Sequence, residues 1–390
     1  MPAARAVALD VLDRIDGEGA YANLALSAAL TRSGLDGRDR RFATDLVYGT
    51  TRMRRACDFL VDRFLARPAE GRVRNALRLG AYQLVFGSVP AHAAVAETVG
   101  VSPRPARGLV NAVLRKVAEA PIRWPDDPTR LSVPDWVLGR LAADLGSDRA
   151  QAALAAMNEP ASAVERSDGY IQDPASQQVA AAVGAGPGER VLDVCAGPGG
   201  KATALAATGA RVVAVDVHRT RAGLVRANAV RLRLGDRVDV LVADGTRPPF
   251  PPPGPDRSLD RGHDRARGRA FDRVLVDAPC SGLGTLRRRP DLRWRVDEAS
   301  VERLAGLQRR LLKATADLLR PGGTLVYSVC TLTTAESVDV DAWLATERPD
   351  LAPSDPLGAP WEPWGRGAML LPQTAGTDGM CLFHYVRRAG

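Results

Sequence analysis

The chain has 390 residues, of which 45% are hydrophobic and 25% charged, proportions typical of a globular protein with two or three domains. Its net charge of +8 favours a polyanionic partner. Five cysteines without paired spacing argue against a disulfide scaffold, and no Cys/His cluster indicates a metal site. No apolar run approaches the roughly 18 residues of a membrane helix, and the acidic start is unlike a signal peptide. We therefore expect a cytoplasmic monomer that binds neither metal nor membrane.

Apolar residues recur at helical spacing through residues 1–130, beginning with Val7, Val11, Leu12 and Ile15. No alternation of strands and helices is visible there, so we predict an all-α N-terminal domain. The region carries 20 basic and 14 acidic residues. That balance fits a helical bundle with solvated arginine-rich faces, or a helical RNA-binding module, and charge alone leaves both interpretations open.

Prolines cluster between residues 121 and 134, as in a linker, and we assign residues 131–170 to a helical linker. The segment Asp173-Pro-Ala-Ser-Gln177 is predicted to open a helix, because Asp173 can cap it and Pro174 suits the first helical position. Residues 171–390 are predicted to form an α/β domain. Within it, residues 247–270 are rich in Pro, Arg, Asp and Gly, which favours a disordered surface insertion.

The segment from Val191 to Leu205 is predicted to be a buried strand, a glycine-rich turn and a helix. Such turns let backbone N–H groups approach a ligand, although a single one is weak evidence and is often an ordinary corner. Two more apolar strands follow, and they end in Asp216 and Asp244. Acids at the carboxyl ends of neighbouring strands favour a nucleoside cofactor bound in the crevice of a doubly wound sheet.

Two cysteines directly follow later strands of the predicted sheet. Cys280 follows the strand at 271–276, and Cys330 follows the strand at 324–329; a helix at 301–319 lies between them, and a late strand is predicted at 380–386. Free cysteines are usually small buried hydrophobes, but this placement favours thiols at the cofactor crevice that act as nucleophiles. Asp277, also at a strand end, fits a partner for a base edge or an ordinary turn cap.

A run of arginines follows the first of these loops. Arg287, Arg288, Arg289, Arg293 and Arg295 surround Trp294 in the sequence. Such a run can contact RNA phosphates and stack a base, although charge runs are more often solvated surface.

Three motifs together resemble the RNA cytosine-5 methyltransferases that use S-adenosylmethionine. They are Leu192-Asp-Val-Cys-Ala-Gly-Pro-Gly-Gly-Lys201, Asp277-Ala-Pro-Cys-Ser-Gly-Leu-Gly284 and Tyr327-Ser-Val-Cys-Thr-Leu332. The likeness extends to 173–177 and 371–380. In the first part, His92-Ala-Ala-Val-Ala-Glu97 and Val110-Asn-Ala-Val-Leu-Arg115 resemble the NusB-like RNA-binding domain. The pairing is similar to the bacterial RsmB/Sun type, which modifies small-subunit ribosomal RNA.

The resemblance implies an all-α domain followed by an α/β Rossmann-like methyltransferase domain with seven strands. It implies Cys330 as the nucleophile that forms a covalent cytosine adduct, Cys280 as a helper thiol, and Asp277 as a contact to the base. The S-adenosylmethionine contacts that it implies are Cys195, Ala196, Gly197, Pro198, Gly199, Gly200, Lys201, Asp216, Asp244 and Asp277. The implied partner is small-subunit 16S rRNA.

Two departures from the family pattern stand out. Val329-Cys330-Thr331 replaces the usual Thr-Cys-Ser, and only about a dozen residues separate Pro160 from Asp173, where the family has an RRM-like segment. The second departure keeps an alternative open, a non-catalytic RNA-binding or ribosome-assembly factor that retains the fold. Methylation of a protein or a small molecule by the same cofactor is disfavoured, because transfer to nitrogen or oxygen needs no pair of thiols.

Overall fold

A computed structural model describes residues 2–250, 270–354 and 357–388. The predicted insertion at 247–270 lies outside the described residues apart from its edges. The chain divides into two compact units. Unit 1 comprises Met1–Ala143, Ser147–Pro160 and Leu286–Arg295; unit 2 comprises Asp144–Gly146, Ala161–Thr285 and Val296–Gly390.

Helices dominate the first part of the chain and alternate with strands in the second, which confirms the predicted all-α part and α/β Rossmann-like part. The helices are α1 (Pro2–Gly17), α2 (Ala22–Arg32), α3 (Gly37–Arg52), α4 (Arg54–Asp62), α5 (Gly71–Val85), α6 (Ala91–Val101), α7 (Arg107–Glu119), α8 (Asp127–Leu131), α9 (Asp135–Leu145), α10 (Ser147–Ala156), α11 (Pro174–Ala182), α12 (Gly200–Ala207), α13 (Arg219–Arg231), α14 (Leu292–Arg295), α15 (Glu298–Ala316), α16 (Val338–Glu347) and α17 (Pro372–Ala375). A 3-10 turn at Arg104–Ala106 precedes α7.

The strands of unit 2 form one mixed sheet. They are β1 (Arg190–Asp193), β2 (Arg211–Asp216), β3 (Val238–Val242), β4 (Phe271–Asp277), β5 (Leu319–Val329), β6 (Leu351–Pro353), β7 (Glu362–Trp364), β8 (Gly367–Leu370) and β9 (Met380–Arg387). Their order is β3-β2-β1-β4-β5-β9-β8-β7, with β6 also paired to β9. The first five strands in this order are parallel to one another, and β9 runs antiparallel to β5.

The expected count of seven strands is wrong, because the described residues form a nine-stranded sheet. Two short strands share one side of β9: β8 pairs with its start and β6 with its end. The hairpin of β7 and β8 then extends the sheet by one more strand. These strands are only three or four residues long, so they lack the long apolar run that makes a strand visible in sequence.

Burial follows the sequence pattern in unit 2. Beyond their first residues β1 and β2 are buried, and so are residues 274–276 of β4 and 323–329 of β5, as expected for parallel strands covered on both faces. In a parallel sheet of this kind the carboxyl ends of the strands share one edge, where ligands bind. Asp193, Asp216 and Asp277 are the last residues of β1, β2 and β4. The fold therefore brings these three acids to a single edge.

The helical core of unit 1 includes α14, which comes from a distant part of the sequence. Arg293 in this helix is fully buried. Its Nη1 atom donates to the carbonyl oxygens of Arg52 and Ser132 at 3.2 and 3.0 Å and to Asn158 Oδ1 at 2.9 Å. The indole of Trp294 donates to the Thr51 carbonyl at 2.7 Å. Neither interpretation of the arginine run, an RNA contact or solvated surface, is right for Arg293, because its charge satisfies carbonyl groups inside unit 1.

None of the described helices has the length and apolar character needed to cross a bilayer.

Candidate active site

The glycine-rich turn between β1 and α12 is held against the end of β2. Asp216 is almost fully buried, and its Oδ2 accepts a hydrogen bond from the Gly197 amide at 3.0 Å while its Oδ1 accepts from the His218 amide at 2.8 Å. A Cβ added at Gly197 would lie 2.5 Å from Asp216 Oδ2. Glycine is therefore required there by close packing, and the turn and the Asp216 carboxylate form one rigid corner.

The remaining residues of the predicted cofactor contacts lie around this corner. Ala196, Gly199 and Gly200 are buried, Cys195 and Gly197 are half-buried, and Pro198 is exposed. Asp244, just past the end of β3, is exposed and accepts from both the amide and the hydroxyl of Thr246 at 2.8 Å. Those bonds lower the pKa of Asp244. The carboxylate is thus held ionised at the sheet edge, on the third of the neighbouring strands.

Asp193 at the end of β1 is a buried acid. Its side chain is 1% exposed, and neither carboxylate oxygen is hydrogen-bonded to any of the described residues. Burial, together with the negative charges of Asp277 and Asp216 and against the positive charge of Lys201, raises the pKa of Asp193 to about 7. Buried polar groups are almost always paired in proteins, so this unpaired carboxyl is compatible with a cationic or hydrogen-bonding ligand.

Lys201 and Asp277 form the central ion pair of the site. Lys201 Nζ lies 2.7 Å from Asp277 Oδ2, and the Ser328 hydroxyl donates to Asp277 Oδ1 at 2.7 Å. Burial alone would lower the pKa of Lys201, but the Asp277 carboxylate, with smaller contributions from Cys330 and Asp193, raises it overall. The ammonium group therefore stays charged, and it interacts electrostatically with Cys330 as well as with the acids.

The two cysteines that follow β4 and β5 meet. The Sγ atoms of Cys280 and Cys330 are 3.3 Å apart, although the residues are 50 positions apart in sequence. The hydrogen bond to Cys330 is the largest cause that raises the pKa of the Cys280 thiol well above its usual range; burial and the charges of Cys330 and Glu336 add to it. The Cys280 thiol is thus held in its neutral form, and either sulfur can be the donor of the hydrogen bond between them.

Backbone contacts close the loops around this pair. The Gly284 amide donates to the Cys330 carbonyl at 3.0 Å, and the Gly379 amide donates to the Gly284 carbonyl at 2.8 Å. A Cβ at Gly284 would lie 2.2 Å from the Gly379 carbonyl oxygen. Only glycine allows three chain segments to pack here, and they fix the loop that carries Cys280 against the loop that carries Cys330.

Burial holds the thiols of the other three cysteines in the neutral form. Cys57 belongs to the helical core, and burial raises its pKa. Cys381 in β9 is fully buried, and burial raises its pKa to about 12. Burial also raises the pKa of Cys195. Thiols held in the neutral form are poor nucleophiles, so a packing role suits Cys57 and Cys381.

Several residues around the site were not singled out by the sequence. Asp193 stands in a quoted motif, and its place at a strand end, like that of Asp216, was a usable signal. Ser328 and Glu336 carried none, because their roles depend on contacts with Asp277 and Ser281 across the fold. Among the described residues there is no group of three or more His, Cys, Asp or Glu side chains that could hold a metal ion.

Comparisons with protein families match two family models to the chain. Residues 180–384 match 16S rRNA methyltransferase RsmB/F, and residues 2–119 match the NusB family. A curated relative, the ribosomal RNA small subunit methyltransferase B of Thermus thermophilus, is 38% identical, with 98% of this chain and 96% of that protein covered. The probable ribosomal RNA small subunit methyltransferase B of Bacillus subtilis is 30% identical over 96% of each chain.

Solved structures resemble the chain as well. The crystal structure of PH0851 has a TM-score of 0.77 at 20% sequence identity, with 99% of this chain and 98% of that chain covered. At this level of identity the similarity shows a shared fold over nearly the whole chain.

Proposed function

The chain belongs to the RsmB/F family of 16S rRNA methyltransferases, and from this premise we propose that it methylates carbon 5 of a cytosine in small-subunit ribosomal RNA through a covalent bond to Cys330. It is an RNA methyltransferase, and its cofactor is S-adenosylmethionine. The observation that carries the cytosine-5 assignment is the separation of 3.3 Å between Cys280 Sγ and Cys330 Sγ.

The acids at the sheet edge fit this cofactor, which carries a sulfonium and an ammonium charge and a ribose. Asp193 offers a buried carboxyl with both oxygens unsatisfied among the described residues, and Asp216 fixes the glycine turn. The residues that would hold the cofactor are Cys195, Ala196, Gly197, Pro198, Gly199, Gly200, Lys201, Asp216, Asp244 and Asp277. When bound, S-adenosylmethionine supplies an electrophilic methyl group for carbon 5 of the base.

Cys330 would prepare the base for that methyl group. Carbon 5 of cytosine is a weak nucleophile, and addition of a thiolate at carbon 6 makes it electron-rich, which divides one difficult step into easier ones. Cys330 suits this role because it interacts electrostatically with the Lys201 ammonium and because the neutral Cys280 thiol, 3.3 Å away, can donate its S–H to the Cys330 sulfur. Both contacts stabilise a thiolate.

Asp277 would hold the ring-nitrogen edge of the same base. Its carboxylate is already oriented by Lys201 on one oxygen and by Ser328 on the other. A side chain fixed in this way loses little entropy when the base binds. The contact favours the protonated ring nitrogen, which draws electrons from carbon 6 as the Cys330 sulfur adds.

Cys280 would assist the release of Cys330. Once the Cys330 sulfur is bonded to carbon 6, it no longer accepts the S–H of Cys280 and no longer carries charge. Two of the causes that raise the pKa of Cys280 then vanish, so its S–H can release a proton to solvent water and the resulting thiolate can act as a base. This thiolate takes the proton from carbon 5, the electron pair of that C–H bond forms the double bond between carbons 5 and 6 again, and the carbon–sulfur bond breaks with its electron pair returning to Cys330 as a thiolate.

The helical unit would bring the RNA to this site. Residues 2–119 match the NusB family, and residues 1–130 carry an excess of basic over acidic side chains. Cationic surfaces of this kind bind nucleic acid through phosphate contacts. The target cytosine must be unpaired or turned out of its helix to reach the two thiols.

A methyl-transfer assay tests the proposal. Undermethylated small-subunit rRNA is incubated with the protein and methyl-labelled S-adenosylmethionine, and the product nucleoside is identified by mass spectrometry. We expect 5-methylcytosine with the natural protein and none with Cys330→Ala, while cofactor binding persists. Normal turnover by Cys330→Ala contradicts the nucleophile, and no transfer by the natural protein favours a ribosome-assembly factor.

A further inference from the structure

A fully buried carboxylate, Glu336, lies behind the two thiols. It belongs to the turn between β5 and α16 and has no solvent exposure. Its Oε1 accepts from the Ser281 amide at 2.7 Å and from Gln308 Nε2 at 3.2 Å. Its Oε2 accepts from the hydroxyls of Ser281 and Thr333 at 2.5 and 3.2 Å. All of these partners are neutral groups, so a charge is buried here without a counter-ion among the described residues.

The partners of Glu336 flank the thiols. Ser281 directly follows Cys280, and Thr333 lies three residues after Cys330. Gln308 reaches the other side of Cys280, because its Nε2 also donates to the Pro279 carbonyl at 2.9 Å. The Ser281 hydroxyl lies 2.9 Å from Thr331 Oγ1, next to Cys330. The loop of Cys280 is therefore held on both sides, and Glu336 connects it to the loop of Cys330.

The hydrogen-bond network around Glu336 extends to a buried tyrosine. Tyr327 in β5 is fully buried, and its hydroxyl donates to Gln308 Oε1 at 2.9 Å and to the Glu336 carbonyl at 2.6 Å. Satisfied polar networks in a low-dielectric interior fix one arrangement of the groups they join. Burial of a carboxylate is costly, and here the bonds that offset the cost converge on the residues beside Cys280 and Cys330.

We propose that Glu336 is a positioning residue that holds Cys280 against Cys330 for the methyl-transfer reaction. The inference rests on the proposed function for its catalytic consequence, whereas the distance between the sulfur atoms can be tested without RNA. Glu336 does not contact the base or the cofactor in this account. It acts through Ser281 on Cys280 and through Thr333 on the loop of Cys330.

Two variants distinguish the hydrogen bonds by which Glu336 connects the two loops from the negative charge of its carboxylate. Glu336→Ala removes the carboxylate that connects the two loops and leaves the contact between the Ser281 and Thr331 hydroxyls in place. Glu336→Gln keeps the shape: its amide oxygen can still accept from the Ser281 amide and Gln308, and its amide N–H groups can donate to the hydroxyls of Ser281 and Thr333, which accept as well as donate. Asp341→Asn is the matched control, because Asp341 is a buried carboxylate in α16 that pairs with Arg366 and Tyr385.

The first readout is the rate at which diamide oxidises the pair. Diamide takes one hydrogen from each thiol and becomes a hydrazine, while a single bond forms between the two sulfur atoms. The linked Cys280–Cys330 peptide is followed by mass spectrometry, which excludes the other three cysteines. We expect the rate to fall at least about tenfold in Glu336→Ala and to stay within about threefold of the natural protein in Glu336→Gln and Asp341→Asn.

The second readout is the formation of free methylated rRNA in a single turnover, which requires its release from Cys330. We expect the same order, with Glu336→Ala slowed at least about tenfold and rescued by Glu336→Gln. Should Glu336→Ala fail to fold, Ser281→Ala removes the hydroxyl contacts with Glu336 and Thr331 but keeps the amide contact with Glu336, and it is expected to slow both rates about threefold. A folded Glu336→Ala, or Ser281→Ala in its place, with an unchanged disulfide rate overturns the positioning role. If the natural protein transfers no methyl group, the proposed function fails, and the disulfide rate still decides the role of Glu336.

Discussion

Lys201 Nζ lies 2.7 Å from Asp277 Oδ2, and the pair joins the glycine-rich turn to the end of β4. The pair stands at the point where the cofactor contacts and the base contact of the proposed reaction meet. Loss of this ion pair would therefore affect both cofactor binding and methyl transfer.

Replacement of this lysine tests that arrangement. Lys201→Met keeps most of the side-chain volume but leaves Asp277 without its cation and Cys330 without nearby positive charge. We expect methyl transfer to fall about 10- to 100-fold and the protein to lose about 1–3 kcal/mol of stability. Single-turnover kinetics and urea unfolding measure the two effects. The surface variant Lys313→Met, which breaks only an exposed pair with Glu347, should change neither, and an equally active Lys201→Met would contradict the account.

The buried acid Asp193 predicts a pH-dependent stability. The pKa of this carboxyl is about 7 in the folded protein and near 4 in an unfolded chain. The folded state thus keeps a proton that the unfolded state releases, and this contribution to stability is complete below about pH 4 and is lost as the pH rises through 7. Asp193→Asn cannot ionise. We expect it to be more stable than the natural protein at pH 8, by at most about 4 kcal/mol, and the gain to shrink towards pH 4.

Urea unfolding without cofactor at pH 5 and pH 8 measures that difference. Asp239→Asn, at an exposed position of β3, is the matched control and should shift stability by less than about 0.5 kcal/mol at either pH. The same stability gain in Asp193→Asn at both pH values would show that the carboxyl is not protonated in the folded protein.

Arg293 is predicted to stabilise unit 1 and not to bind RNA. Burial, with the charge of Arg52 beside it, lowers its pKa to about 9, and its guanidinium donates to buried oxygen atoms of Arg52, Ser132 and Asn158. Arg293→Met should cost about 3 kcal/mol or more, because those acceptors would be left buried and unpaired. Thermal unfolding measures the loss. Arg14→Met, which breaks an exposed pair with Glu18, should cost less than about 0.5 kcal/mol; equal effects would rule out the structural role.

Much of the fold could be predicted from the sequence because unit 2 obeys two simple patterns. Its central strands are short apolar runs, and acids or cysteines directly follow them, so the sheet edge of Asp216, Asp277 and Cys330 was visible before the structure. The hairpin strands beyond β9 were not, since runs of three or four residues have no distinct period. The domain boundaries at residues 130 and 170 and the roles of the site residues stay predictions.

Long-range polar contacts explain what the sequence could not indicate. Arg293 stands in a run of arginines that is typical of an exposed surface. Its buried position depends on hydrogen bonds to oxygen atoms of residues more than a hundred positions away in sequence. Glu336 is an isolated acid in sequence, and its meaning depends on Ser281, 55 residues earlier. A pattern of neighbouring residues contains no record of such contacts.

Detection of a covalent adduct between Cys280→Ala and rRNA tests most sharply whether Cys330 is the nucleophile. This variant keeps the nucleophile and lacks the thiol that assists release, so we expect a protein–RNA species that survives denaturing electrophoresis. Peptide mapping should locate the modified cytosine on Cys330, and Cys280→Ala/Cys330→Ala should form no adduct. An adduct on any other residue, or an adduct that forms only when Cys280 is present, would contradict the account.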